Sequence, residues 1–350
     1  MKVFSFFTEP ASYTLDLIDN VYQPMSIDYC FLKSSSKAIN KFNNTGKIFL
    51  DRKSLLDCIS YMLSVRDKYN ILIFNSYNNV FFLFLFIINI FSKKKNFIAI
   101  ESDTQLLIPD NYLKRILKYL YLSFIFRKKN IFGLAGGNYI HKELFRYYGM
   151  KEERIFLMPM MVNNKKFFFK NKKKKIFTFL FVGRIVKVKN LEALIKQFIL
   201  RFDSKDAILK IVGDGELKDE LFDKYNNSKI KFLGKLFDNE LIQEFQEATV
   251  LVCPSYFEPW GLVVNEGLSA GLPVIARKEV GATYDLIINK NTGFVVNNDN
   301  DFGKKMLSLF NDKQLLKSYS SNATALMKND WNYRLYVKNM GDFISKLTKL

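Results

Sequence analysis

Continuous apolar runs alternate with helical stretches along this chain, and the alternation constrains the fold more than any other feature. In the first half, KVFSFF (2–7), ILIFNS (71–76) and NFIAIES (96–102) are typical of buried strands. An apolar helical run at 80–91 separates the last two of them. Strands that are apolar on both faces and joined by helices predict a parallel, doubly wound α/β sheet, because helices must cover both faces of such a sheet.

The same pattern restarts after a lysine-rich segment, NNKKFFFKNKKKK (163–175). This segment contains lysines and no acid, which is typical of a solvated connector, so we predict the domain boundary there. The first domain is then 1–165 and the second 176–332, with a helix at 191–198. The strands predicted in the second domain are 176–183, 207–213, 230–234, 249–255 and 272–277.

Length and composition agree with two folded domains. The chain has 350 residues, of which 49% are hydrophobic, and this excludes general disorder. Cys30, Cys58 and Cys253 fit neither a disulfide framework nor metal-ligand spacing, which indicates a reducing cytosol. We expect no secretory signal, because Glu9 ends the N-terminal apolar run. The longest apolar run, 80–91, would reach only about 18 Å as a helix, too short for a membrane span.

The formal net charge of +19 has two interpretations. Lys, Asn, Phe and Ile are frequent throughout, so one interpretation is a general bias in composition. The other is attraction to an anionic partner, either membrane lipid or phosphate. We do not expect nucleic acid as a partner, because no zinc-finger spacing or RNA-binding aromatic motif accompanies the lysines.

The stretch SYFEPWGLVVNEG (255–267) contains two glutamates, one before and one after Gly261. It follows a predicted strand, and we expect a turn and then a short helix. Ligands of parallel sheets bind at the carboxyl ends of strands, and the free N–H groups of a helix start attract anions. Glu258 and Glu266 could therefore flank a ligand with phosphates at the helix start. A carboxylate in an apolar helix needs a partner, and for Glu266 a ribose diol and an arginine ion pair both fit.

The segment FLFVGRIVKVKN supplies cations at another strand end. The strand ends at Gly183, Arg184 and Lys189 follow in the loop, and Asn190 is the expected N-cap of the next helix. Arginine can hold a phosphate with two hydrogen bonds and lysine adds a mobile charge, whereas two solvated surface cations are the alternative. The nearby IVGDGELK has Lys218 where the dinucleotide fingerprint has Gly or Ala, which argues against a dehydrogenase.

These motifs resemble the retaining glycosyltransferases of family 4, which have the GT-B fold. The similarity lies in GRIVKVKN, VGDGEL, FLGKL and above all EPWGLVVNEGLSAGLPVIA, followed by VGATYDLI and NTGFVV. It covers residues 176–296, whereas in the first half only 145–162 is similar. The resemblance implies two Rossmann-like domains that face each other across a cleft, with a last helix, 333–350, that returns to the first domain.

The resemblance also implies roles for single residues. Arg184 and Lys189 would bind the diphosphate of a nucleotide-sugar donor. Glu258 would contact the transferred sugar, and Glu266 would bind the ribose hydroxyls. No metal or other cofactor is expected, because the basic residues and the helix start would stabilise the leaving diphosphate. The other donor-binding positions are Gly183, Gly215, Lys235, Gly261, Leu262 and Val263.

The first half departs from the family pattern. Family members often have a glycine-rich loop after the first strand, where this chain has FFTEPASY. They often have a histidine after a mid-domain strand, where this chain has AIESDTQ with Glu101 and Asp103. We assign both acids to the acceptor side. His141, the single histidine, lies beside two glycines at a predicted helix start, where it either contacts a sugar or packs as an ordinary side chain.

The predicted function is transfer of a sugar from a nucleotide donor to a glycan or lipid-linked acceptor, with retention at the anomeric carbon. UDP is favoured, GDP stays open, and a bacterial surface polysaccharide is the expected product by analogy. The alternatives are a nucleotide-sugar epimerase, a phosphorolytic enzyme of the same fold, and a non-catalytic membrane-associated scaffold. A scaffold with a decayed site would have lost some of the four charged residues of the predicted donor site.

The helical stretch KRILKYLYLSFIFRKK (114–129) favours membrane binding. Leu113, Leu117, Leu120 and Phe124 recur at helical spacing among basic residues, as in helices that lie in an anionic membrane surface. The alternative is a helix whose apolar side faces the core. We expect a cytoplasmic enzyme that can bind peripherally to the inner face of the cytoplasmic membrane. The basic residues are Lys114, Arg115, Lys118, Arg127, Lys128 and Lys129.

Overall fold

The computed structural model describes residues 1–34, 48–169 and 176–350. The chain divides into two compact units, residues 1–161 with 333–350 and residues 162–332. Part of the lysine-rich segment that is predicted as a connector, residues 170–175, lies outside the described residues.

The described elements alternate strand and helix in both units. The strands are β1 (Val3–Phe7), β2 (Asp28–Phe31), β3 (Ile71–Phe74), β4 (Phe97–Ser102), β5 (Ile131–Ala135), β6 (Ile155–Leu157), β7 (Phe177–Val182), β8 (Ala207–Val212), β9 (Ile230–Gly234), β10 (Val250–Cys253), β11 (Val274–Arg277) and β12 (Gly293–Val296). The helices are α1 (Ser12–Leu17), α2 (Leu55–Lys68), α3 (Val80–Phe91), α4 (Tyr112–Phe126), α5 (Ile140–Tyr147), α6 (Leu191–Phe202), α7 (Lys218–Tyr225), α8 (Asp238–Glu247), α9 (Leu262–Ser269), α10 (Thr283–Leu286), α11 (Asp299–Asn311), α12 (Lys313–Asn329) and α13 (Tyr333–Thr348).

The first unit is built on a parallel sheet with the strand order β2-β1-β3-β4-β5-β6 among the described residues. Every residue of β1, β3 and β5 is buried, which agrees with the prediction of apolar strands covered on both faces. The chain leaves β1 first towards β2 and later towards β3, so the order reverses at β1. Ligands of open parallel sheets bind at the carboxyl ends of strands beside such a switch point.

Helix α13, at the end of the chain, belongs to the first unit. The ring of Phe343 packs on Phe156 of β6 and Phe132 of β5, with centroid distances of 5.0 and 5.9 Å. Tyr336 and Met340 of the same helix are fully buried. The amphipathic C-terminal helix thus completes a core that the N-terminal residues begin.

The second unit has a parallel sheet with the order β12-β11-β10-β7-β8-β9. Read from β9, this is the strand order of the Rossmann fold, with its switch point between β7 and β10. The five strands predicted from the sequence are all present, and β12 is added at the edge. The loops that follow β7 and β10 therefore leave the sheet side by side.

Two glycines hold the loops after β7 and β8 in direct backbone contact. A Cβ atom on Gly213 would lie 1.8 Å from the carbonyl oxygen of Gly183, and one on Gly215 would lie 2.5 Å from that of Ile185. The N–H of Ile185 donates to the carbonyl of Asp214 at 2.8 Å. Only glycine allows this approach, so VGDGEL fixes the position of the loop that carries Arg184.

The described part of the lysine-rich segment is not a solvated connector, which corrects the sequence prediction. Asn164 and Phe167 are buried. The Asn164 amide donates to the carbonyls of Met327 and Trp331, both at 2.8 Å. Asn164 also accepts a hydrogen bond from the Ser269 hydroxyl at 3.1 Å. A buried amide with three partners anchors residues 163–167 to the second unit.

The apolar run at 80–91 forms α3 as predicted, and the Asn79 side chain caps it by accepting from the N–H of Phe82 at 2.7 Å. The predicted helical stretch at 114–129 is helical only as far as Phe126. Among the described residues, no helix combines the length and the apolar character needed to cross a membrane.

Candidate functional site

The loops after β7 and β10 of the second unit bring Lys189 and Glu258 together. The Lys189 ammonium forms an ion pair and hydrogen bond with Oε1 of Glu258, and the two side chains are only 13% and 14% exposed. The Ser255 hydroxyl donates to the same carboxylate oxygen at 2.9 Å. The family resemblance implies separate roles for this lysine and this glutamate, whereas the fold joins them in one pair that is largely withdrawn from water.

Backbone hydrogen bonds fix the Glu258 loop on two sides. The N–H of Glu258 donates to the carbonyl of Glu279 at 3.2 Å, and its carbonyl accepts from the N–H of Gly281 at 3.1 Å. The N–H of Tyr256 donates to the carbonyl of Val188, next to Lys189, at 2.8 Å. The loop after β10 is thus tied both to the segment after β11 and to the loop after β7, which holds the ion pair in place.

Asn190 occupies the predicted N-cap position of α6, but its side chain does not cap the helix. Its backbone is left-handed, with φ of 53°, and its side chain accepts no hydrogen bond from the first turn. The amide instead donates to Asp299 at 3.0 Å, and Arg277 donates to the same carboxylate oxygen at 2.8 Å. Asparagine tolerates the left-handed region better than most residues, so here it supplies a sharp bend after the loop of Lys189.

Gly261 lies directly before α9 and adopts φ of +94°. No side chain caps this helix, and the first N–H groups of a helix have no acceptors within it. A Cβ on Gly261 would lie 3.0 Å from the Val280 side chain. The predicted helix start is therefore present, and the N–H groups of Leu262 and Val263 begin it.

Glu266 lies on α9, partly buried. Its carboxylate has no hydrogen-bond or ion-pair partner within the described residues, so the arginine ion pair considered for it is wrong. Burial raises the pKa of Glu266 to about 7. A carboxyl group that the fold leaves without a partner at a strand-end site is typical of a ligand contact.

The remaining predicted donor residues lie in loops at the carboxyl edge of the same sheet. Arg184 follows Gly183 after β7, is exposed, and has no ion-pair partner among the described residues. Gly215 lies in the loop after β8. Lys235 follows β9, is exposed, and lies 4.7 Å from the ring centroid of Phe237. Of the two predicted phosphate ligands, Arg184 is thus solvated and available, whereas Lys189 is paired.

The first unit has its own cavity of about 260 Å³ at the carboxyl ends of β1, β3 and β4. Of the residues that the structure describes, three with carboxylates line it and no Lys, Arg or His does. In a chain with net charge +19 this concentration of acid is unusual, and it repels anions such as phosphate. The polar side chains of the lining include Glu9, Tyr13, Asn75, Glu101, Asp103 and Tyr336.

Glu101 is 8% exposed and has two donors. The Asn75 amide donates to Oε2 at 2.9 Å and the Tyr336 hydroxyl donates to Oε1 at 3.0 Å. Burial raises the pKa of Glu101 to about 7, with a contribution from the charge of Asp103, although the two hydrogen bonds act in the opposite direction. Burial also raises the pKa of Asp103. Near neutral pH this pair can both donate and accept hydrogen bonds.

His141 does not join these acids. Its side chain is fully buried on α5 and is not part of the cavity lining. The fold therefore brings together two of the three residues that the sequence assigned to the acceptor side. Among the described residues, no group of three or more His, Cys, Asp and Glu side chains could hold a metal ion.

Comparisons with known proteins agree with a chain that contains two parallel α/β sheets. Over 99% of its length the chain superimposes on all of HepE from Anabaena, crystallised in complex with UDP and glucose, with a TM-score of 0.76 and 16% identity. The fold is GT-B.

Residues 162–326 match the family model "Glycosyl transferases group 1". An uncharacterized glycosyltransferase of Methanocaldococcus jannaschii is 34% identical over 43% of this chain and 42% of its own length. The UDP-Gal:alpha-D-GlcNAc-diphosphoundecaprenol alpha-1,3-galactosyltransferase of Escherichia coli is 31% identical over 45% of this chain and 42% of its own. The chain thus matches less than half the length of these relatives. Together with the GT-B fold, the matches support a glycosyltransferase enzyme.

Three residues that donate hydrogen bonds to the predicted glutamates Glu258 and Glu101 were not themselves predicted. Ser255 ends the predicted strand 249–255, and Asn75 is the residue before the last in the predicted strand ILIFNS, so their positions at strand ends were a usable signal. Tyr336 had no such signal, because it lies on the last helix of the GT-B fold, 235 positions from Glu101.

Proposed function

We propose that this protein is a retaining glycosyltransferase that moves a sugar from a nucleotide-sugar donor, with UDP favoured, to a glycan or lipid-linked acceptor. The observation that carries the proposal is the junction of β7, β10 and α9 in the second unit. There the Lys189–Glu258 pair, the open helix start at Gly261 and the unpartnered Glu266 come from three different segments onto one edge of the sheet.

Transfer breaks the bond between the sugar's anomeric carbon and the diphosphate oxygen, and forms a bond from the same carbon to an acceptor oxygen. The acceptor loses a proton, and the leaving diphosphate gains negative charge. Arg184 and the N–H groups of Leu262 and Val263 would stabilise this negative charge. Lys189 would contribute to the same stabilisation while its ammonium stays paired with Glu258. No metal is required in this scheme, since cations and the helix start do the same work.

Glu266 would bind the ribose hydroxyls of the donor. A hydroxyl donates to a carboxylate, so ribose would supply the partner that the protein does not provide. Glu258 would contact the transferred sugar near its reacting carbon. Its position beside Lys189, in the loop that ends β10, supports this role.

The cavity of the first unit would receive the acceptor. Asn75, Glu101 and Asp103 offer hydrogen-bond donors and acceptors for sugar hydroxyls, while Tyr13 offers an aromatic face. The three carboxylates of the lining disfavour phosphate, so the cavity would hold the sugar part of an acceptor and not a diphosphate group.

Synthesis of a surface polysaccharide is the proposed setting. The Escherichia coli relative, by its name, acts on a diphosphoundecaprenol acceptor, and another relative, from Bacillus subtilis, is named a poly(glycerol-phosphate) alpha-glucosyltransferase. A lipid-linked acceptor stays in the bilayer while a nucleotide sugar is dissolved. We therefore include peripheral binding to the inner face of the cytoplasmic membrane in the proposal.

Calorimetry with UDP and with GDP tests the donor part. Binding of one nucleotide that weakens in Glu266→Gln supports the proposal, and the absence of binding to either would instead support a non-catalytic scaffold. A panel of UDP-sugars and GDP-sugars is then assayed for release of nucleoside diphosphate with and without octyl glycoside acceptors. Release only with acceptor supports transfer, whereas an altered sugar without release indicates an epimerase, and a requirement for orthophosphate indicates phosphorolysis. The anomeric configuration of the product, read by NMR, tests retention.

A further inference from the structure

Two neighbouring helices of the first unit present large apolar side chains to solvent. Leu113, Leu117, Leu120 and Phe124, the stripe noted on α4, are 54% to 64% exposed. The alternative that this stripe faces the core is therefore wrong, since Leu122, Ile125 and Phe126 form the buried side of the helix. A contiguous exposed apolar stripe is typical of an interaction surface, whereas single exposed apolar side chains are common on any protein.

Helix α3 extends the stripe into a surface. Ile87 and Phe91, one turn apart on α3, are 52% and 84% exposed. The ring of Phe86, next to Ile87, packs edge-on against Phe124 with a centroid distance of 5.9 Å, so the two helices lie side by side. We call the six exposed side chains the α3–α4 surface: Ile87, Phe91, Leu113, Leu117, Leu120 and Phe124.

Basic residues flank this surface, and the two segments that form it contain no acid. The segments 80–95 and 111–130 contain no Asp or Glu. Both helices connect consecutive parallel strands, so they run in the same direction, and the lysines and arginines after their C-terminal ends lie at one edge. Cations there also complement the helix dipoles, but a dipole does not account for exposed Phe91 or Leu117 beside them. The cations after the two helices are Lys93, Lys94, Lys95, Arg127, Lys128 and Lys129.

Two cations that the sequence placed on the membrane side have other partners. The Lys118 ammonium donates to the carbonyl of Leu107 at 2.7 Å, and burial lowers the pKa of Lys118. The Arg115 guanidinium donates to the carbonyl of Pro109 at 3.1 Å. Both therefore brace the loop before α4. Exposed cations with no partner in the described residues are Lys93, Lys114 and Lys129.

We infer that the α3–α4 surface is the site at which this protein binds an anionic lipid bilayer. The apolar side chains enter the interface between headgroups and acyl chains, and the surrounding cations contact anionic headgroups. Charge complementarity selects a lipid surface over a second copy of this chain, because a copy would bring another strongly cationic face against this one. The inference assigns a binding surface to the membrane association in the proposed function. It rests on that function only for the biological reason why the protein would bind a membrane.

Vesicle flotation of the full-length protein tests the inference without substrate or turnover. Vesicles of phosphatidylcholine alone are compared with vesicles that also contain phosphatidylglycerol, at about 0.1 M and about 1 M salt, where the Debye length falls from about 10 Å to about 3 Å. We expect binding only to the anionic vesicles, and weaker binding at the higher salt. No binding to anionic vesicles at the lower salt overturns the inference, whereas the proposed function would still be decided by nucleotide binding.

Matched substitutions separate a specific surface from general attraction by the net charge. Leu117→Gln, which changes no charge, should lower binding to anionic vesicles about tenfold, while Leu200→Gln, at a 71% exposed leucine of α6, should not. The triple variant Lys93→Gln, Lys114→Gln and Lys129→Gln should also lose binding to anionic vesicles. The control is a second triple variant, Lys290→Gln, Lys313→Gln and Lys317→Gln, which removes the same charge elsewhere and should keep binding. Equal losses in the two lysine triples, with no loss in Leu117→Gln, would mean that net charge alone drives binding, and equal losses in the two leucine variants would mean that the surface is not specific; either result would overturn the inference. Self-association in sedimentation that Leu117→Gln abolishes, with no vesicle binding, would overturn it too.

Discussion

The two units carry glutamates with similarly raised pKa values in opposite surroundings. Glu101 of the first unit receives hydrogen bonds from Asn75 and Tyr336, whereas Glu266 of the second has no partner within the described residues. Burial raises the pKa of each to about 7. The first carboxyl is held by the protein, and the second is left for something else to hold.

The surroundings of the two sites differ in charge as well. Within the described part of the chain, the cavity beside Glu101 is lined by three acids and no cation, while the site of Glu266 shares its sheet edge with Arg184, Lys189 and Lys235. Two parallel α/β sheets thus offer the same kind of edge, and the residues placed after the strands decide what each edge attracts. An edge with cations suits a diphosphate, and an edge with acids suits hydroxyl groups.

The largest effect is expected from Lys189→Ala. If the second unit holds the leaving diphosphate, turnover should fall about 10²–10³-fold, as with loss of a donor to a developing oxyanion. Glu258 would also lose its ion-pair partner. Steady-state kinetics with the active nucleotide sugar measure this. Lys187→Ala, an exposed lysine in the same turn, is the control and should stay near wild type.

The Lys189–Glu258 ion pair also predicts how a double variant should behave. The double variant Lys189→Ala, Glu258→Gln should lose little more than Lys189→Ala alone, because both residues act as one unit. Independent, multiplying losses, or full activity in Lys189→Ala, would contradict a paired role at the diphosphate.

The two glutamates of the second unit should fail in different ways. Glu258→Gln should lower kcat about 10²-fold and leave UDP affinity near normal, because its contact would strengthen in the transition state. Glu266→Gln should weaken UDP binding about tenfold and change kcat less, because a ribose contact serves both states. Calorimetry and steady-state kinetics separate these effects. If both variants weaken UDP binding equally, the assignment of roles is wrong.

Glu266→Gln should also stabilise the fold at alkaline pH. An unfolded glutamate titrates near pH 4.5, whereas burial raises the pKa of Glu266 to about 7, so the folded state holds its proton between these values. The stability contributed by this carboxyl is complete below pH 4.5 and is lost as the pH rises through 7. Glutamine avoids this loss, so the free energy of unfolding should increase by about 1–3 kcal/mol at pH 8 and much less at pH 5.

Urea unfolding at these two pH values measures the difference. Glu216→Gln, at an exposed glutamate of the same unit, should change stability little at either pH. If Glu266 had a partner in solution, Glu266→Gln would not increase the free energy of unfolding. A variant that is no more stable than wild type at pH 8 would therefore contradict the difference drawn between Glu266 and Glu101.

The smallest expected effect concerns the held carboxyl of the first unit. The Tyr336 hydroxyl stabilises the ionised form of Glu101, so Tyr336→Phe should move the titration of Glu101 upward by about one pH unit. Carbon-13 NMR of labelled glutamate can follow the titration. Tyr333→Phe is a matched control on the same helix, because the buried Tyr333 hydroxyl has no hydrogen-bond partner within the described residues. A similar shift in both variants would mean that Tyr336 does not position Glu101.

Local sequence determined much of the second unit. Short apolar runs and the residues that end them predicted its strands. The same local signals predicted the helix start at Gly261 and the cations after β7. The strands at 28–31, 131–135 and 155–157 of the first unit were not predicted, because glycines and polar neighbours weaken their local pattern. A parallel strand that is buried on both faces has a continuous apolar sequence, which is why most strands could be predicted closely.

Tertiary structure decided which residues meet and which side of a helix faces water. Lys189 and Glu258 are 69 positions apart and Tyr336 and Glu101 are 235 apart, so no local pattern links either pair. The stripe of α4 has the same helical period whether it faces a core or a membrane, because periodicity gives the width of an apolar face and not its neighbour. Only the packing of Leu122, Ile125 and Phe126 against the sheet assigns the opposite side, with Leu117 and Phe124, to the surface.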